Sequence, residues 1–200
     1  MSRTFSVNFD YRCPFARNGH EHVVAALRAG ADYDVAFKGF SLTEAHVAEG
    51  ELSAFDDPAH REDLVALAAG IVVRDRFPDQ FLDAHLSLFA IRHDDGDDLR
   101  DEAVVRNALS RVGVDADLVF EEINNGWPIE TVRAEHESSV KEHSVFGVPT
   151  FIAGDQTAFV RLMTRPRNDG ELAKRTIDKV LGLLIDNPEI NEFKHTSIPR

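Results

Sequence analysis

The order of strand-like and helix-like patterns is the feature that most constrains the fold of this chain. Phe5, Val7 and Phe9 alternate with polar residues, which is the period of a half-buried strand. Apolar residues at helical spacing follow and end near Gly30, and residues 35–37 carry a second strand pattern. A strand, a helix and a strand in this order predict parallel pairing through a right-handed βαβ unit.

The middle and the end of the chain have different patterns. Residues 58–143 contain apolar stripes at helical spacing and no segment that alternates like a strand. Strand patterns return at Thr150–Ile152 and Ala158–Leu162, on either side of a turn at Gly154–Gln156. A last amphipathic helix is predicted over Asp169–Ile185, so the chain ends on two strands and a helix.

Together these patterns predict an α/β protein with a thioredoxin-like fold (βαβ…ββα) and a helical domain inserted in its middle. Residues 1–57 and 144–200 are predicted to form the thioredoxin-like domain, and residues 58–143 the inserted helical domain. A chain of 200 residues is long enough for one domain that carries such an insertion.

The charge and hydropathy of the chain argue against two classes of partner. A net charge of −13 argues against nucleic acid, because phosphate contacts need a concentrated basic surface. No run approaches the roughly eighteen apolar residues of a membrane span. The first residues lead into a strand pattern without the features of a signal peptide, so we expect a cytoplasmic protein.

The single cysteine of the chain, Cys13, restricts its redox and metal chemistry. One cysteine forms no internal disulfide, no Cys-x-x-Cys pair and no cysteine-rich zinc site. Histidine spacing predicts no metal site either, since His20 and His22 point in different directions on a helix. His20 lies on an apolar stripe, and we expect it in the core. Cys13 is left as a lone nucleophile, a partner in mixed disulfides or a small buried residue.

Two short motifs, on either side of the helical block, carry a family resemblance. Residues 9–16 read Phe-Asp-Tyr-Arg-Cys-Pro-Phe-Ala, and residues 145–151 read Val-Phe-Gly-Val-Pro-Thr-Phe. The first resembles the Cys-Pro-x-Cys active-site turn of the DsbA-like thioredoxin superfamily, which includes DsbA, FrnE and 2-hydroxychromene-2-carboxylate isomerase. The second resembles the Gly-Val-Pro-Thr loop of these proteins, which hold its proline as a cis peptide facing the cysteine. The resemblance covers essentially the whole chain.

The resemblance implies a site in which Cys13 is the catalytic residue. Five further residues are expected at the surface that binds substrate or thiol: Tyr11, Pro14, Phe15, Val148 and Pro149. For Tyr11 and Phe15 two interpretations stay open, because each ring can either line a substrate groove or pack against the inserted helices. The backbone at Val148 is expected to pair with an extended peptide or with the cysteinyl part of a small thiol.

One departure from the family pattern limits the chemistry. Ala16 stands where the family has its second cysteine, which resolves the mixed disulfide formed by the first. An adduct on Cys13 therefore needs an external thiol, and we expect glutathione or mycothiol as cosubstrate, with no tightly bound cofactor. The isomerases and the kappa-type glutathione transferases of this superfamily have Ser at the nucleophile position and bind glutathione. The cysteine retained here favours redox chemistry.

Three functions remain open on this basis. The favoured one is a thiol-dependent oxidoreductase acting on a small-molecule or peptide substrate. The others are a small-thiol-dependent transferase or isomerase, and a non-catalytic thioredoxin-like module that binds a peptide or a protein partner. The sequence leaves open whether the chain forms a homodimer.

Charged residues around the first motif bear on the reactivity of the thiol. A cysteine at a helix N-terminus faces unpaired N–H groups, which favour the thiolate. Arg12 and Arg17 are expected to add to this effect, whereas Asp10 opposes it. We therefore predict a lowered pKa for Cys13.

Two arginines near the C-terminal strand patterns, Arg161 and Arg165, have two interpretations. Their guanidinium forks suit the carboxylates of a glutathione- or mycothiol-like thiol. The alternative is ion pairing on the surface of a very acidic protein.

Overall fold

The structure is a computed structural model that describes residues 2–195 and 197. Its four strands are β1 (Arg3–Phe9), β2 (Tyr33–Gly39), β3 (Thr150–Ala153) and β4 (Gln156–Phe159). The α-helices of the described residues are α1 (Pro14–Arg28), α2 (Leu42–Ala45), α3 (Arg61–Arg76), α4 (Pro78–His93), α5 (Glu102–Ser110), α6 (Ala116–Asn124), α7 (Trp127–His143) and α8 (Gly170–Asp186). One 3₁₀ turn, Pro58–His60, precedes α3.

The strands form a single sheet in the order β2-β1-β3-β4. β1 pairs with β2 in parallel, from Arg3 opposite Tyr33 to Phe9 opposite Gly39. β3 is antiparallel to β1 and to β4. This topology confirms the predicted thioredoxin-like α/β fold, with helices alone between residues 58 and 143. The division into two domains stays a prediction, and Met1, Thr196 and residues 198–200 lie outside the described residues.

Strand β1 is covered on both faces, whereas its alternating pattern predicts a half-buried strand. Phe5, Val7 and Phe9 are buried, and so are Ser6 and Asn8 between them. The amide of Asn8 donates a hydrogen bond to the hydroxyl of a serine in α7 at 3.0 Å. Helix α7 thus contributes to the second cover of β1. The N–H of the Asn8 amide has a hydrogen-bond partner there, whereas its Oδ1 is buried without one among the described residues.

The last strand differs from its predicted position. β4 ends at Phe159, whereas the sequence pattern predicts a strand that continues to Leu162. Beyond β4, the N–H of Val160 donates to the carbonyl oxygen of Pro149 at 3.0 Å. The amide of Asn18, in α1, then donates to the carbonyl oxygen of Leu162 at 2.8 Å. The first of these bonds continues the register of β3 and β4 by one residue, and the second brings residue 162 against α1.

Candidate functional site

The two sequence motifs meet at the N-terminus of α1. Cys13 is the N-cap residue, and its Sγ accepts a hydrogen bond from the N–H of Ala16 at 3.4 Å. Pro14 begins the helix, where its missing N–H leaves no bond unmade. The thiol donates to the carbonyl oxygen of Val148 at 3.3 Å, and the Val148–Pro149 peptide bond is cis. A half-buried thiol therefore lies between a helix N-terminus and the proline loop.

A glycine in α1 allows the proline loop to approach this closely. A Cβ atom added at Gly19 would lie 3.0 Å from Cγ of Pro149. Separations this short require the neighbour to move, and both Val148 and Pro149 are buried. The absence of a side chain at Gly19 thus helps to set the position of the loop against the thiol.

The predicted lowering of the Cys13 pKa is wrong. Burial of the thiol raises its pKa, and the N–H groups of Ala16 and Phe15 counteract this only in part. The carboxylate of Asp10 raises the pKa further. Desolvation disfavours the thiolate more strongly here than the helix N-terminus favours it.

The predicted pKa-tuning role of the two arginines is also contradicted. Arg12 forms an ion pair with Asp10, with an N–O distance of 3.0 Å, and a second one with Asp63 at 3.4 Å. Arg17 pairs with Glu21, one turn along α1, at 2.9 Å. Both guanidinium groups are held by carboxylates, and neither is among the groups that shift the pKa of the thiol. Arg12 thus ties the turn before α1 to α3, and a further contact of Arg17, with Asp94, ties α1 to the end of α4.

Tyr11 packs in the core, and its expected role at the substrate surface is wrong. The side chain is fully buried, and its ring centroid lies 4.8 Å from that of Phe89 in α4. A Cβ atom at Gly70, in α3, would lie 2.9 Å from Cε2 of Tyr11. The inserted helices thus enclose the ring, and a glycine in one of them leaves the space that it occupies.

A buried chain of hydrogen bonds begins at the Tyr11 hydroxyl. This hydroxyl is 2.8 Å from Nδ1 of His85, whose Nε2 is 2.9 Å from Nδ1 of His20. Nε2 of His20 lies 3.1 Å from the carbonyl oxygen of Asn8. A carbonyl oxygen only accepts hydrogen bonds, so His20 donates to Asn8, His85 donates to His20, and Tyr11 donates to His85.

The imidazoles of His20 and His85 are both neutral at neutral pH. Burial lowers the pKa of His20 to about 4. Burial also lowers the pKa of His85 well below its usual value, and the neighbouring His20 adds to this effect. The expected core position of His20 is confirmed, since the residue is fully buried. The pairing of His20 with His85 is not predicted from the sequence, although the place of His85 among apolar residues of a helical stripe indicates burial.

Aromatic side chains are present in both segments that form the site. Pro14 is exposed and Phe15 is half-buried, with the guanidinium carbon of Arg161 5.3 Å from the Phe15 ring centroid. Phe146, in the proline loop, is 72% exposed, and its ring centroid lies 5.1 Å from that of Phe159. The pairing of Phe146 with Phe159 is not predicted from the sequence, because the two rings come from separate segments. Both segments that form the site thus carry at least partly exposed aromatic rings, Phe15 in α1 and Phe146 in the proline loop.

Two further features of the described residues, 2–195 and 197, concern metals and membranes. No group of three or more His, Cys, Asp or Glu side chains among them is arranged to hold a metal ion. None of their helices is both long enough and apolar enough to cross a membrane.

The fold and the site define a thioredoxin-fold protein with one thiol placed against a cis-proline loop. The chain belongs to the family of the DSBA-like thioredoxin domain, whose model matches residues 4–165. This match confirms the resemblance that the two motifs indicate. No curated protein sequence matches the chain.

Solved structures with a similar fold share little sequence with this protein. 2-Hydroxychromene-2-carboxylate isomerase is 13% identical with a TM-score of 0.62, over 94% of this chain and 100% of that one. DsbM, a cytosolic disulfide reductase from Pseudomonas aeruginosa solved with GSH, is 13% identical with a TM-score of 0.59, over 89% and 98%. A thioredoxin-like oxidoreductase from Silicibacter pomeroyi DSS-3 is 16% identical with a TM-score of 0.56, over 89% and 86%. At such identities the likeness establishes the fold alone.

Proposed function

We propose that this protein is a cytoplasmic thiol-dependent oxidoreductase whose only nucleophile is Cys13. The observation that carries the proposal is the half-buried thiol at the start of α1, 3.3 Å from the carbonyl oxygen of Val148, with Ala16 in place of a second cysteine. The substrate is a small or peptide disulfide, and glutathione or mycothiol is the cosubstrate. The cytosolic location of the structural neighbour DsbM agrees with this setting.

The reaction consists of two exchanges at sulfur. The Cys13 thiolate attacks a substrate disulfide, forms a mixed disulfide with one half and releases the other half as a thiolate, which takes a proton from water. A small thiol, as its thiolate, then attacks the substrate sulfur of the adduct and releases the Cys13 thiolate. One half of the substrate has then left as a thiol and the other half as a mixed disulfide with the small thiol. A second molecule of the small thiol reduces this mixed disulfide in solution, which frees the remaining substrate thiol and gives the disulfide of the small thiol. The N–H groups of Phe15 and Ala16 stabilise the sulfur anion in both exchanges.

The raised pKa of Cys13 sets the pH dependence of this reaction. Only the thiolate attacks, so the thiolate fraction limits the first exchange at neutral pH. A thiol of high pKa is also a poor leaving group, which slows its release from the adduct by the small thiol. Turnover is nevertheless expected to be faster above neutral pH, because a larger fraction of both the Cys13 thiol and the small thiol is then ionised.

Intact-mass analysis with oxidised glutathione over a range of pH values tests the proposal. We expect one adduct on Cys13 that free glutathione reverses, formed at a rate that rises as the pH passes through and beyond the ordinary cysteine range. The Cys13→Ser variant is the matched control and forms no adduct. A folded wild-type protein that forms no adduct and resists iodoacetamide would contradict the proposal and favour the non-catalytic binding module.

A small-thiol-dependent transferase or isomerase is the second candidate. The raised pKa keeps the Cys13 thiol protonated at neutral pH, and a protonated thiol suits a hydrogen-bond donor better than a nucleophile. Cys13→Ser separates the two candidates, because serine keeps the donor and loses the redox chemistry. Glutathione-dependent isomerisation or conjugation that survives in this variant would replace the first proposal by the second.

A further inference from the structure

We propose that Arg161 binds a carboxylate group of the disulfide that reacts at Cys13, so that carboxylate-bearing disulfides are the preferred substrate class. This inference rests on the proposed function and names the chemistry of its substrate. It concerns a residue at the rim of the site, beyond the two motifs that define the site itself.

The backbone around Arg161 is held against both parts of the site. The preceding residue, Val160, donates its N–H to the carbonyl oxygen of Pro149 at 3.0 Å. The following residue, Leu162, accepts a hydrogen bond from the Asn18 side chain, in α1, at 2.8 Å. Arg161 is therefore fixed between the proline loop and the helix that begins at the nucleophile.

An aromatic ring orders the side chain of Arg161. Its guanidinium carbon lies 5.3 Å from the ring centroid of Phe15, two residues after Cys13. A guanidinium group over an aromatic face is attracted by the ring, and its N–H groups remain free to donate at its edge. The cation is thus held close to the start of α1, and its guanidinium N–H groups donate to no other described residue.

Within the part of the chain that the structure describes, no carboxylate lies at ion-pair distance from Arg161, although the protein carries 35 acidic residues. Arg165, four residues further, shows the contrast. It pairs with Glu21 at 2.6 Å and with Asp94 at 3.2 Å. Of the two interpretations open for these arginines, ion pairing describes Arg165, whereas Arg161 keeps an uncompensated charge.

The charge of Arg161 acts on the substrate rather than on the thiol. The Cys13 pKa is shifted by burial, by the N–H groups of Phe15 and Ala16, and by Asp10, but not by Arg161. A guanidinium fork matches a planar carboxylate with two parallel hydrogen bonds. In a protein of net charge −13, a local cation is needed to favour an anionic substrate that the rest of the surface repels.

Three small disulfides of nearly equal size test this inference. 3,3′-Dithiodipropionate carries carboxylates, bis(2-hydroxyethyl) disulfide is neutral, and cystamine carries ammonium groups. The rate of adduct formation on Cys13 is measured by intact mass for the wild type and for Arg161→Gln. Each variant is compared with the wild type on the same probe, so the pKa of the leaving thiol cancels.

We expect Arg161→Gln to lower the rate ratio of the carboxylate probe to the neutral probe by about three- to fivefold, the scale of one exposed ion pair. The ratio for cystamine should rise. The matched control is Arg175→Gln, because Arg175 is exposed on α8 and its removal changes the net charge equally. This control should keep the wild-type ratios. Added salt should reduce the wild-type preference for the carboxylate probe.

Binding without reaction separates this inference from the proposed function. The same probes are titrated into Cys13→Ser while NMR follows the Arg161 Nε–H signal, and we expect the carboxylate probe alone to shift it. Absence of that shift, or equal losses in Arg161→Gln and Arg175→Gln, would overturn the role of Arg161 even if Cys13 reacts. Conversely, no adduct with any probe would overturn the proposed function, and the titration would still decide the role of Arg161.

Discussion

Burial is the main influence on the protonation of the Cys13 and Tyr11 side chains. At Cys13, burial and Asp10 raise the pKa, whereas two N–H groups of α1 lower it, and burial is the largest of these effects. At Tyr11, complete burial likewise raises the pKa of the hydroxyl, which stays protonated and donates to His85. Burial therefore favours the protonated form of both the Cys13 thiol and the Tyr11 hydroxyl.

Tyr11→Phe tests the buried hydrogen-bond chain at the level of one atom. The change leaves Nδ1 of His85 without its donor in a fully buried place, so we expect the free energy of unfolding to fall by about 1–3 kcal/mol. Tyr33→Phe is the matched control, because the Tyr33 hydroxyl donates to Asp178 at 2.8 Å in a partly exposed place. Its cost should be smaller, since water can replace the lost donor. Equal losses of unfolding free energy for the two variants in urea would show that the buried hydrogen bond of Tyr11 adds no extra stability.

In helix α3, a glycine leaves space for a side chain from a distant part of the sequence. Gly70 lies in its middle, where glycine weakens a helix relative to alanine. The position is occupied by glycine because the ring of Tyr11, from the first motif, fills the space beside it. Helix propensity alone would place a larger residue there.

Gly70→Ala and Gly182→Ala form a matched pair of substitutions within helices. At Gly70 the added Cβ would lie 2.9 Å from a buried ring atom, so we expect a loss of about 1–3 kcal/mol in the free energy of unfolding. At Gly182, in α8, the nearest atom outside the helix backbone is a carboxylate oxygen of Asp186 at 3.7 Å, and a gain of up to about 1 kcal/mol is expected. Stabilisation by Gly70→Ala in urea unfolding would contradict the packing described for Tyr11.

Over the whole molecule, burial lowers the pKa of a group of histidines. Its members are His20, His22, His85, His93 and His136. A lowered pKa in the native state means that the unfolded chain binds more protons below the ordinary histidine pKa. The free energy of unfolding therefore decreases as the pH is lowered through that range.

We expect a loss of stability that begins near pH 6.5 and, for His20, continues to its native pKa of about 4. At about 1.4 kcal/mol for each unit of pKa, His20 alone accounts for a loss of about 3 kcal/mol. Asp94, whose pKa is lowered by its bond to Arg17, contributes only at lower pH. Urea unfolding at a series of pH values measures this loss. A constant free energy between neutral pH and about pH 5 would contradict the buried neutral histidines.

The sequence predicts the fold better than the environment of the site, for a physical reason. The order of elements follows from periodicities that are local, such as the alternation at Phe5 and the helical stripes between residues 58 and 143. The state of Cys13 depends on burial by segments far away in the chain, which no local pattern reveals. Arg12 meets Asp63, and Tyr11 meets Gly70, only because the helical segment folds over β1. Those contacts overturn the predicted tuning of the thiol and the expected position of the tyrosine.

The hydrogen-bond chain from Tyr11 to Asn8 has a consequence for how this sequence can change over generations. Its direction is dictated by a backbone carbonyl, which no substitution removes, so each of the three side chains has one acceptable protonation pattern. Replacing His20 alone leaves the Nε2–H of His85 without an acceptor. Replacing His85 alone leaves both His20 and Tyr11 without a hydrogen-bond partner in the chain of bonds. Single steps away from this trio therefore pass through a destabilised intermediate. Descendants of the chain should keep Tyr11, His20 and His85 together or exchange all three for apolar residues.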